Sequence, residues 1–454
     1  PTLAITGDTV SARLEQNHLE LIKRLPDSRE LTRLHVPFYD IERVVLVGNP
    51  GISIQVLHKL MRLGIPVAFI SAHHQWLGSL SSDNAMNAER RIAQYRNSEN
   101  QDFRLLVSTE LILCKIRNSR RVLQRLSAAR KESELPAQQS AADELAAIYR
   151  KVEKIPESMD ALRGYEGLAA AVYFARLSDF FPEDMPFQER SRRPPLNEAN
   201  SLLSWTYAVV ESEIHAAIRA HGLDPYLGFL HETSYNMPSL VLDLIEPLRA
   251  PLCDMLVMHL LNHRILRKEH FEFHSEDGGT YLKAEARKDF FPAYEATMTR
   301  NFTLTPGDPH VTFRKIIESQ IITVIKALEG ESSYHFFCMP EDPYFSFAEP
   351  DSYNPQEVKY KNMLRLIAYD ITNAKRLRKV ALLCLDFGFR VEYSVFECDL
   401  SEDLFKSFWM RLHEIIDPQE DRVIIYSICA ACVSRIESCG SVSRPQGKTL
   451  LYVI

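Results

Sequence analysis

The sequence predicts a multidomain α+β chain: a small β-rich N-terminal domain, a large all-α domain and a C-terminal ferredoxin-like (βαββαβ) domain. Three observations carry this. Short segments of alternating apolar residues, separated by turn residues, fill the start of the chain. Helical periodicity then holds from about Asn84 to about Leu328. Met339 to Pro355, rich in Pro, acid and aromatics, has neither period, and strands and helices alternate again after it. The boundaries read as 1–83, 84–338, a linker over 339–362, and 363–454.

In order along the chain, Thr2-Leu-Ala-Ile-Thr-Gly7-Asp8 is a strand that turns into Thr9 to Leu14, and Gln16-Asn17-His18 turns again into Leu19-Glu-Leu-Ile. His35 to Ile41 and Arg43-Val-Val-Leu-Val-Gly48 continue the pattern. Ser53 caps a helix through Leu63, and Val67 to Ile70 is again a strand. After the linker, Leu364 to Asp370 is a strand, Asn373 to Leu385 a basic helix and Arg390 to Cys398 a strand. Ser401 caps a helix through Ile416, and Arg422 to Ile428 is a further strand, an order that suggests a ferredoxin-like unit. Leu450 to Ile454 reads as an edge strand that pairs with a neighbouring sheet.

At 454 residues, 46% of them hydrophobic, the chain exceeds one typical domain and has ample material for cores. No apolar stretch is long enough to span a bilayer and no signal-peptide pattern opens the sequence, so a cytoplasmic location is expected. Pro1 fits a removed initiator Met or a chain trimmed from something larger. Eight scattered Cys form no secreted framework, which agrees with a reducing compartment. A net charge of −7 argues against a globally basic nucleic-acid binder while leaving room for local basic tracks.

The most informative stretch runs from Gly228-Phe-Leu-His231 to Asp243-Leu-Ile-Glu246-Pro-Leu-Arg249. It places one imidazole and two carboxylates in a strongly apolar run. If that run is helical, Asp243 and Glu246 share a face and can point at one object. Burying ionised carboxylates among Leu, Ile and Val is costly without a cation or hydrogen-bond donors, and a divalent metal would compensate. The alternative is a helix whose acids face water beside an ordinary histidine. Upstream, Arg163-Gly-Tyr-Glu166-Gly sets a carboxylate between Gly164 and Gly167 at the head of a small-residue helical run, where another group or a DNA backbone can approach closely.

In this order the two segments resemble the CRISPR adaptation integrase family, with its x-G-x-E-G, G-F-x-H and D-x-x-E/D motifs. The resemblance extends to Gly48-Asn-Pro-Gly-Ile-Ser53, Gly64 to Ile70, Asn200-Ser-Leu-Leu-Ser204 and Gly222-Leu-Asp-Pro225, and it covers the chain to roughly Phe337. It implies a catalytic Mg²⁺ or Mn²⁺ bound by Glu166, His231 and Glu246, with Asp243 as a supporting carboxylate. From about Met363 to the end, Ala368-Tyr-Asp370-Ile-Thr, Lys375-Arg376-Leu-Arg378-Lys379, Arg390 to Glu397 and Arg435-Ile-Glu resemble the small companion protein of that integrase. That resemblance implies a dimer and a DNA scaffold, with Asp370 matching an acidic position that serves some members as a nuclease site.

Lys115-Ile-Arg117-Asn-Ser-Arg120-Arg121 opens a stretch without acids, and Arg117, Arg120, Arg121 and Gln124 share one helical face. They read as a phosphate-tracking stripe or, equally, as a solvated face. Arg192 and Arg193, Arg249, and Arg376, Arg378 and Lys379 are further candidates for DNA contact. Cys429-Ala-Ala-Cys432 lacks a second pair for zinc, and Gly447-Lys448-Thr449 lacks the first Gly of a phosphate loop, with Val442 in its place.

Together the resemblances imply a fused CRISPR adaptation protein. Its expected chemistry is metal-dependent transesterification, in which the 3′-hydroxyl of a captured DNA fragment attacks a phosphodiester at the edge of a CRISPR repeat. The expected partners are double-stranded DNA and further copies of the chain, integrase dimers bridged by a companion dimer, with no membrane. The rival readings are a metal-dependent DNA or RNA nuclease with water as nucleophile, and a non-catalytic DNA-binding scaffold.

Overall fold

The computed structural model describes residues 2–7, 9–15, 18–24, 31–72, 76–80, 88–127, 135–235, 237–304, 310–331, 334–340, 363–400, 402–428 and 451–453. The N-terminal part holds β1 (Thr2–Thr6), β2 (Val10–Glu15), β3 (His18–Arg24), β4 (Leu31–Val36), β5 (Arg43–Val47), β6 (Gly51–Ile52), α1 (Ile54–Arg62), β7 (Val67–Ile70) and β8 (Trp76–Leu80). These make two sheets. One is an antiparallel meander of β2, β3 and β4 with β6 added parallel to β2. In the other, β1, β5 and β7 run parallel and β8 closes one edge antiparallel.

The period of two explains why β1 and β5 are almost wholly apolar. Leu3, Ile5, Val44 and Leu46 point into the N-terminal core, whereas Ala4, Val45 and Val47 point into the core of the helical part. The sheet is thus buried on both faces and serves as a shared wall. An ionic cluster crosses the same boundary. Arg314 meets Glu213 at 2.7 Å and both oxygens of Glu295 at 2.7 and 2.8 Å, and donates to Thr2 Oγ1 at 3.1 Å. Buried Arg43 also pairs with Glu213.

The helical part comprises α2 (Ala88–Glu99), α3 (Gln101–Ser127), α4 (Leu135–Val152), α5 (Met159–Leu177), α6 (Glu198–Ala220), α7 (Ser239–Ile245), α8 (Met255–Asn262), α9 (Arg287–Thr299) and α10 (Phe313–Leu328). Ser158, Asn197 and Thr312 cap α5, α6 and α10 by accepting backbone N–H groups. Helical periodicity concealed one interruption, a hairpin of β9 (Phe271–His274) and β10 (Gly279–Leu282). No helix among the described residues is long and apolar enough to cross a membrane.

The C-terminal part holds β11 (Met363–Asp370), α11 (Ala374–Phe387), β12 (Phe389–Glu392), β13 (Val395–Leu400), α12 (Glu402–His413) and β14 (Arg422–Ile428). Its antiparallel sheet has the order β12-β13-β11-β14, as a βαββαβ unit requires. The single strand expected over Arg390 to Cys398 is instead a hairpin that turns at Tyr393-Ser394, with a register shift between Arg390 and Glu392. Of the expected linker, Met339 and Pro340 are buried against α3, and 341–362 lies outside the described residues. The last strand, β15 (Leu451–Val453), pairs parallel with β1 and extends the N-terminal sheet. The C-terminal part also meets the N-terminal part through Lys59 and Asp386, 3.1 Å apart, and the stacked rings of Tyr39 and Phe387.

Removing one partner of a mostly buried ion pair leaves the other uncompensated. Arg314→Met is expected to cost about 3 kcal/mol of stability, read by urea unfolding. An unchanged midpoint would show that the cluster contributes nothing to holding the sheet on the helices.

Candidate functional site

Asp243, in the last turn of α7, is fully buried. It accepts the backbone N–H groups of Phe229, Leu230 and His231 at 2.6, 3.0 and 2.9 Å, and its Oδ1 lies 2.7 Å from His231 Nδ1. Four donors around one carboxylate supply what water would have given. The contact assigns the ring proton to Nδ1 in the neutral imidazole and leaves the Nε2 lone pair available. Gly228 makes this approach possible: a Cβ there would lie 2.6 Å from Asp243 Oδ2 and 2.7 Å from the Ser239 carbonyl carbon. The expectation that Asp243 and Glu246 point at one object is therefore corrected. Asp243 holds the histidine loop from behind, and Glu246 alone faces the site.

The regular α-helix ends at Ile245, just before Glu246. α7 gives way to a 3₁₀ turn at Glu246–Leu248 and then to a π-helical turn at Arg249–Asp254 before α8. Pro247 and Pro251 lack the N–H groups that a regular helix needs. The Pro247 carbonyl is taken instead by the buried Asn118 amide at 2.7 Å, and Asn118 also binds the Phe337 carbonyl and the Met339 N–H. Glu246, at the start of the irregular segment, faces α3 and α5, where Lys115 pairs with both it and Glu166.

There a cavity of about 560 Å³ is lined by residues that include Lys115, Glu166, His231, Glu246, Arg249 and Asp254. The three expected ligands thus share one cavity. Glu166 sits in the middle of α5, just before its small-residue run, and a Cβ on Gly164 or Gly167 would meet nothing within 4 Å. Lys115 Nζ pairs with Glu166 and lies 2.7 Å from Glu246 Oε2, while Arg249 Nε donates to Glu246 Oε1 at 2.9 Å. Arg249 also stacks on Tyr207, 4.6 Å from the ring centre. Burial alone would raise the Glu246 carboxyl, but the charges of Arg249 and Lys115 overcome it and hold it well below the usual carboxylate range. For Lys115, burial is likewise outweighed by Glu246 and Glu166, and the ammonium is held above its ordinary value.

With Lys115 between the carboxylates, no three His, Cys, Asp or Glu side chains among the described residues are gathered tightly enough to ligate one ion. The donor set still suits a hard divalent cation. It offers two carboxylates, an oriented imidazole, and a buried Glu246 Oε2 that is charge-paired but accepts no hydrogen bond of good geometry.

At the cavity floor, fully buried Asp254 accepts the hydroxyls of Tyr173 at 2.9 Å and Tyr207 at 2.6 Å. Burial pushes its carboxyl up to about 6 against those two hydrogen bonds. Sequence reasoning passed over Asn118, Tyr173, Tyr207 and Asp254. The one available signal was the pair of prolines around Arg249, which marks an irregular helix.

The basic candidates divide. Lys115 and Arg249 are counter-charges to buried Glu246 on the cavity wall and form no part of an open surface track. Arg117, Arg120 and Arg121 form no open stripe. α3 is packed by α4, α5 and the Glu246–Asp254 segment, all three guanidinium groups are half-buried, and Arg120 and Arg121 donate to the carbonyls of Ala142 and Pro340. Arg192 and Arg193 are exposed, and Arg192 reaches the cavity. In the C-terminal part Arg376 is engaged by Asp421 and Glu420, whereas Arg378 and Lys379 are exposed. Asp370 is exposed at the end of β11, in register with Arg422. Cys429, Cys432 and Gly447 to Thr449 lie outside the described residues.

Gly228→Ala is expected to lower stability by about 2 kcal/mol, since backbone and a fixed carboxylate must move, and thermal unfolding against wild type reads it. Asp254 gives a pH test. Its folded value of about 6 exceeds its ordinary 3.8, so folding binds the proton more tightly and stability falls as pH rises between those values. Asp254→Asn should remove that slope, so that variant and wild type diverge by about 3 kcal/mol between acidic and neutral urea titrations. Parallel curves would refute the assignment.

Comparison with known proteins places this geometry in a family. Residues 3–296 match the family model for CRISPR associated protein Cas1, and residues 363–436 match that for CRISPR associated protein Cas2. The chain is 33% identical over 302 residues to CRISPR-associated endonuclease Cas1 3 of Thermus thermophilus, covering 66% of this chain and 86% of that protein. It is 35% identical over 287 residues to CRISPR-associated endonuclease Cas1 1 of Thermodesulfovibrio yellowstonii, covering 63% and 89%. Among solved structures, a casposase bound to integration product superposes with a TM-score of 0.66 at 21% identity, over 75% of this chain and 94% of that one, a likeness of fold. The chain belongs to the Cas1 family of CRISPR-associated proteins and carries a Cas2 domain in the same polypeptide.

Proposed function

We propose that this protein is the integrase of CRISPR spacer acquisition, joining the 3′-hydroxyl ends of a captured DNA fragment to a CRISPR repeat by transesterification, with its domains divided at 1–83, 84–338, 339–362 and 363–454. The observation that carries the reading is the meeting of Glu166, His231 and Glu246 in one cavity of a chain that also contains the Cas2 unit. Those three residues would hold a Mg²⁺ or Mn²⁺ ion, and such an ion supplies a Lewis acid that stabilises charge on the phosphoryl oxygens.

The protein's own groups do the rest. Asp243 fixes the His231 ring so that Nε2 faces the cavity, and Arg249 braces Glu246 from the other side. Arg192, exposed at the mouth, offers a guanidinium to a phosphate. Exchange of one phosphodiester for another conserves the number of such bonds, so alignment and charge stabilisation are the main demands.

The C-terminal unit supports the role of scaffold and dimerisation module. The face of its sheet away from α11 and α12 exposes Ile424 and Tyr426, which suits a second copy of the same face, and Arg378 and Lys379 remain open for a DNA backbone.

A labelled duplex fragment and a repeat-bearing plasmid, with and without Mg²⁺ or Mn²⁺, test the reading. Glu166→Ala and His231→Ala are each expected to abolish joining while duplex binding stays largely intact. A fragment with a blocked 3′-end should not be joined; metal-dependent cleavage that ignores the block would favour hydrolysis. Full joining by either variant would sink the assignment.

A further inference from the structure

Lys115 poses a question that the proposed chemistry leaves open. Its ammonium lies between the two carboxylates that would bind the ion, paired with Glu166 and 2.7 Å from Glu246 Oε2. Among the groups in direct contact, Glu166, Glu246, Lys115 and Arg249 balance at two negative and two positive charges, with Glu211 and buried Asp254 acting on Arg249 from further out. A divalent cation added to these four raises their charge to plus two in a site where Glu246 and Arg249 are both buried, which is unfavourable without further anions.

One of the two side-chain cations must yield, and the geometry says which. Arg249 is held on both sides, by Glu246 at 2.9 Å and by the Tyr207 ring at 4.6 Å. Lys115 has a flexible four-carbon stem, no aromatic clamp among the contacts described, and the cavity in front of it. Arg163, the next cation on the wall, is tied to Glu232 at 2.9 Å and to the Leu230 carbonyl at 3.3 Å.

Resting on the reading of Glu166, His231 and Glu246 as metal ligands, we propose that Lys115 is a built-in competitor for the metal position. In the DNA-free protein its ammonium neutralises the two carboxylates and weakens divalent-ion binding. A DNA phosphodiester entering the cavity supplies the missing negative charge and gives the displaced ammonium a new partner. Ion and DNA binding are then coupled, and by linkage each strengthens the other by the same factor. The device keeps the site poorly charged with metal until a substrate phosphate is present.

The test is Mn²⁺ binding to the full chain, followed by the electron paramagnetic resonance signal of free Mn²⁺, with and without a short DNA duplex. Wild type should bind Mn²⁺ weakly alone and about tenfold more tightly with duplex. Lys115→Met should bind about tenfold more tightly than wild type without DNA, with most of the duplex effect gone. Lys115→Gln, which keeps a neutral hydrogen-bond donor, covers the case in which the Met variant does not fold; Mn²⁺ should raise its unfolding temperature more than that of wild type. Binding by these variants no tighter than wild type, while Glu246→Gln has lost Mn²⁺, would overturn the proposal and spare the site. Wild-type Mn²⁺ binding by Glu246→Gln would instead overturn the site.

Discussion

Two carboxylates buried three residues apart in one apolar run set the constraint on which this structure depends. Neither Asp243 nor Glu246 can remain ionised among Leu, Val and Ile without compensation, and the fold compensates them in different ways. Asp243 is satisfied by donors alone, three backbone N–H groups and an imidazole, so it becomes the centre of a rigid loop. Glu246 is satisfied by charge, from Lys115 on a distant helix and Arg249 one turn away, so it becomes the centre of an electrostatic cluster. The first arrangement orients His231, the second fixes where an added cation would have to compete, and both needs are met at one cavity.

The helical path from Ser239 to Asn262 is irregular beyond α7. Two prolines interrupt its hydrogen bonding, the 3₁₀ and π turns absorb the mismatch, and Asn118 takes the freed carbonyl. The same Asn118 amide holds Phe337 and Met339, so the start of the connection to the Cas2 unit is anchored on the helix that supplies Lys115. The site and the exit of the chain from the Cas1 unit thereby share a support. At the far side the shared sheet of β1, β5 and β7 ties the N-terminal part to the helices, and β15 pairs with β1 to extend it.

Much of this was legible because it rests on local rules. Short apolar or alternating segments between turn residues marked β1, β2 and β5, Ser53 and Asn373 marked helix starts at α1 and α11, and the succession of strands and helices after the linker suggested a ferredoxin-like unit. What escaped has local causes too. Tyr393-Ser394 carries no Gly, Pro or Asn to announce a turn, so β12 and β13 read as one strand. The β9–β10 hairpin lies between two long helical patterns that masked it. The acid-free stretch on α3 looked like a surface face because a charge pattern reports composition and says nothing of what packs against it.

By itself, the sequence determined most of the elements and which residues bear the chemistry: the order of Glu166, His231, Asp243 and Glu246, the glycine at 228 and the prolines at 247 and 251 are all local features. Only the tertiary structure decided how they are used. It set Asp243 behind His231, put Lys115 between carboxylates lying 51 and 131 positions further along the chain, and braced buried Glu246 with Arg249. The physical reason is that an isolated charge has no role until its dielectric surroundings and counter-charges are known, and those come from segments far apart in the chain.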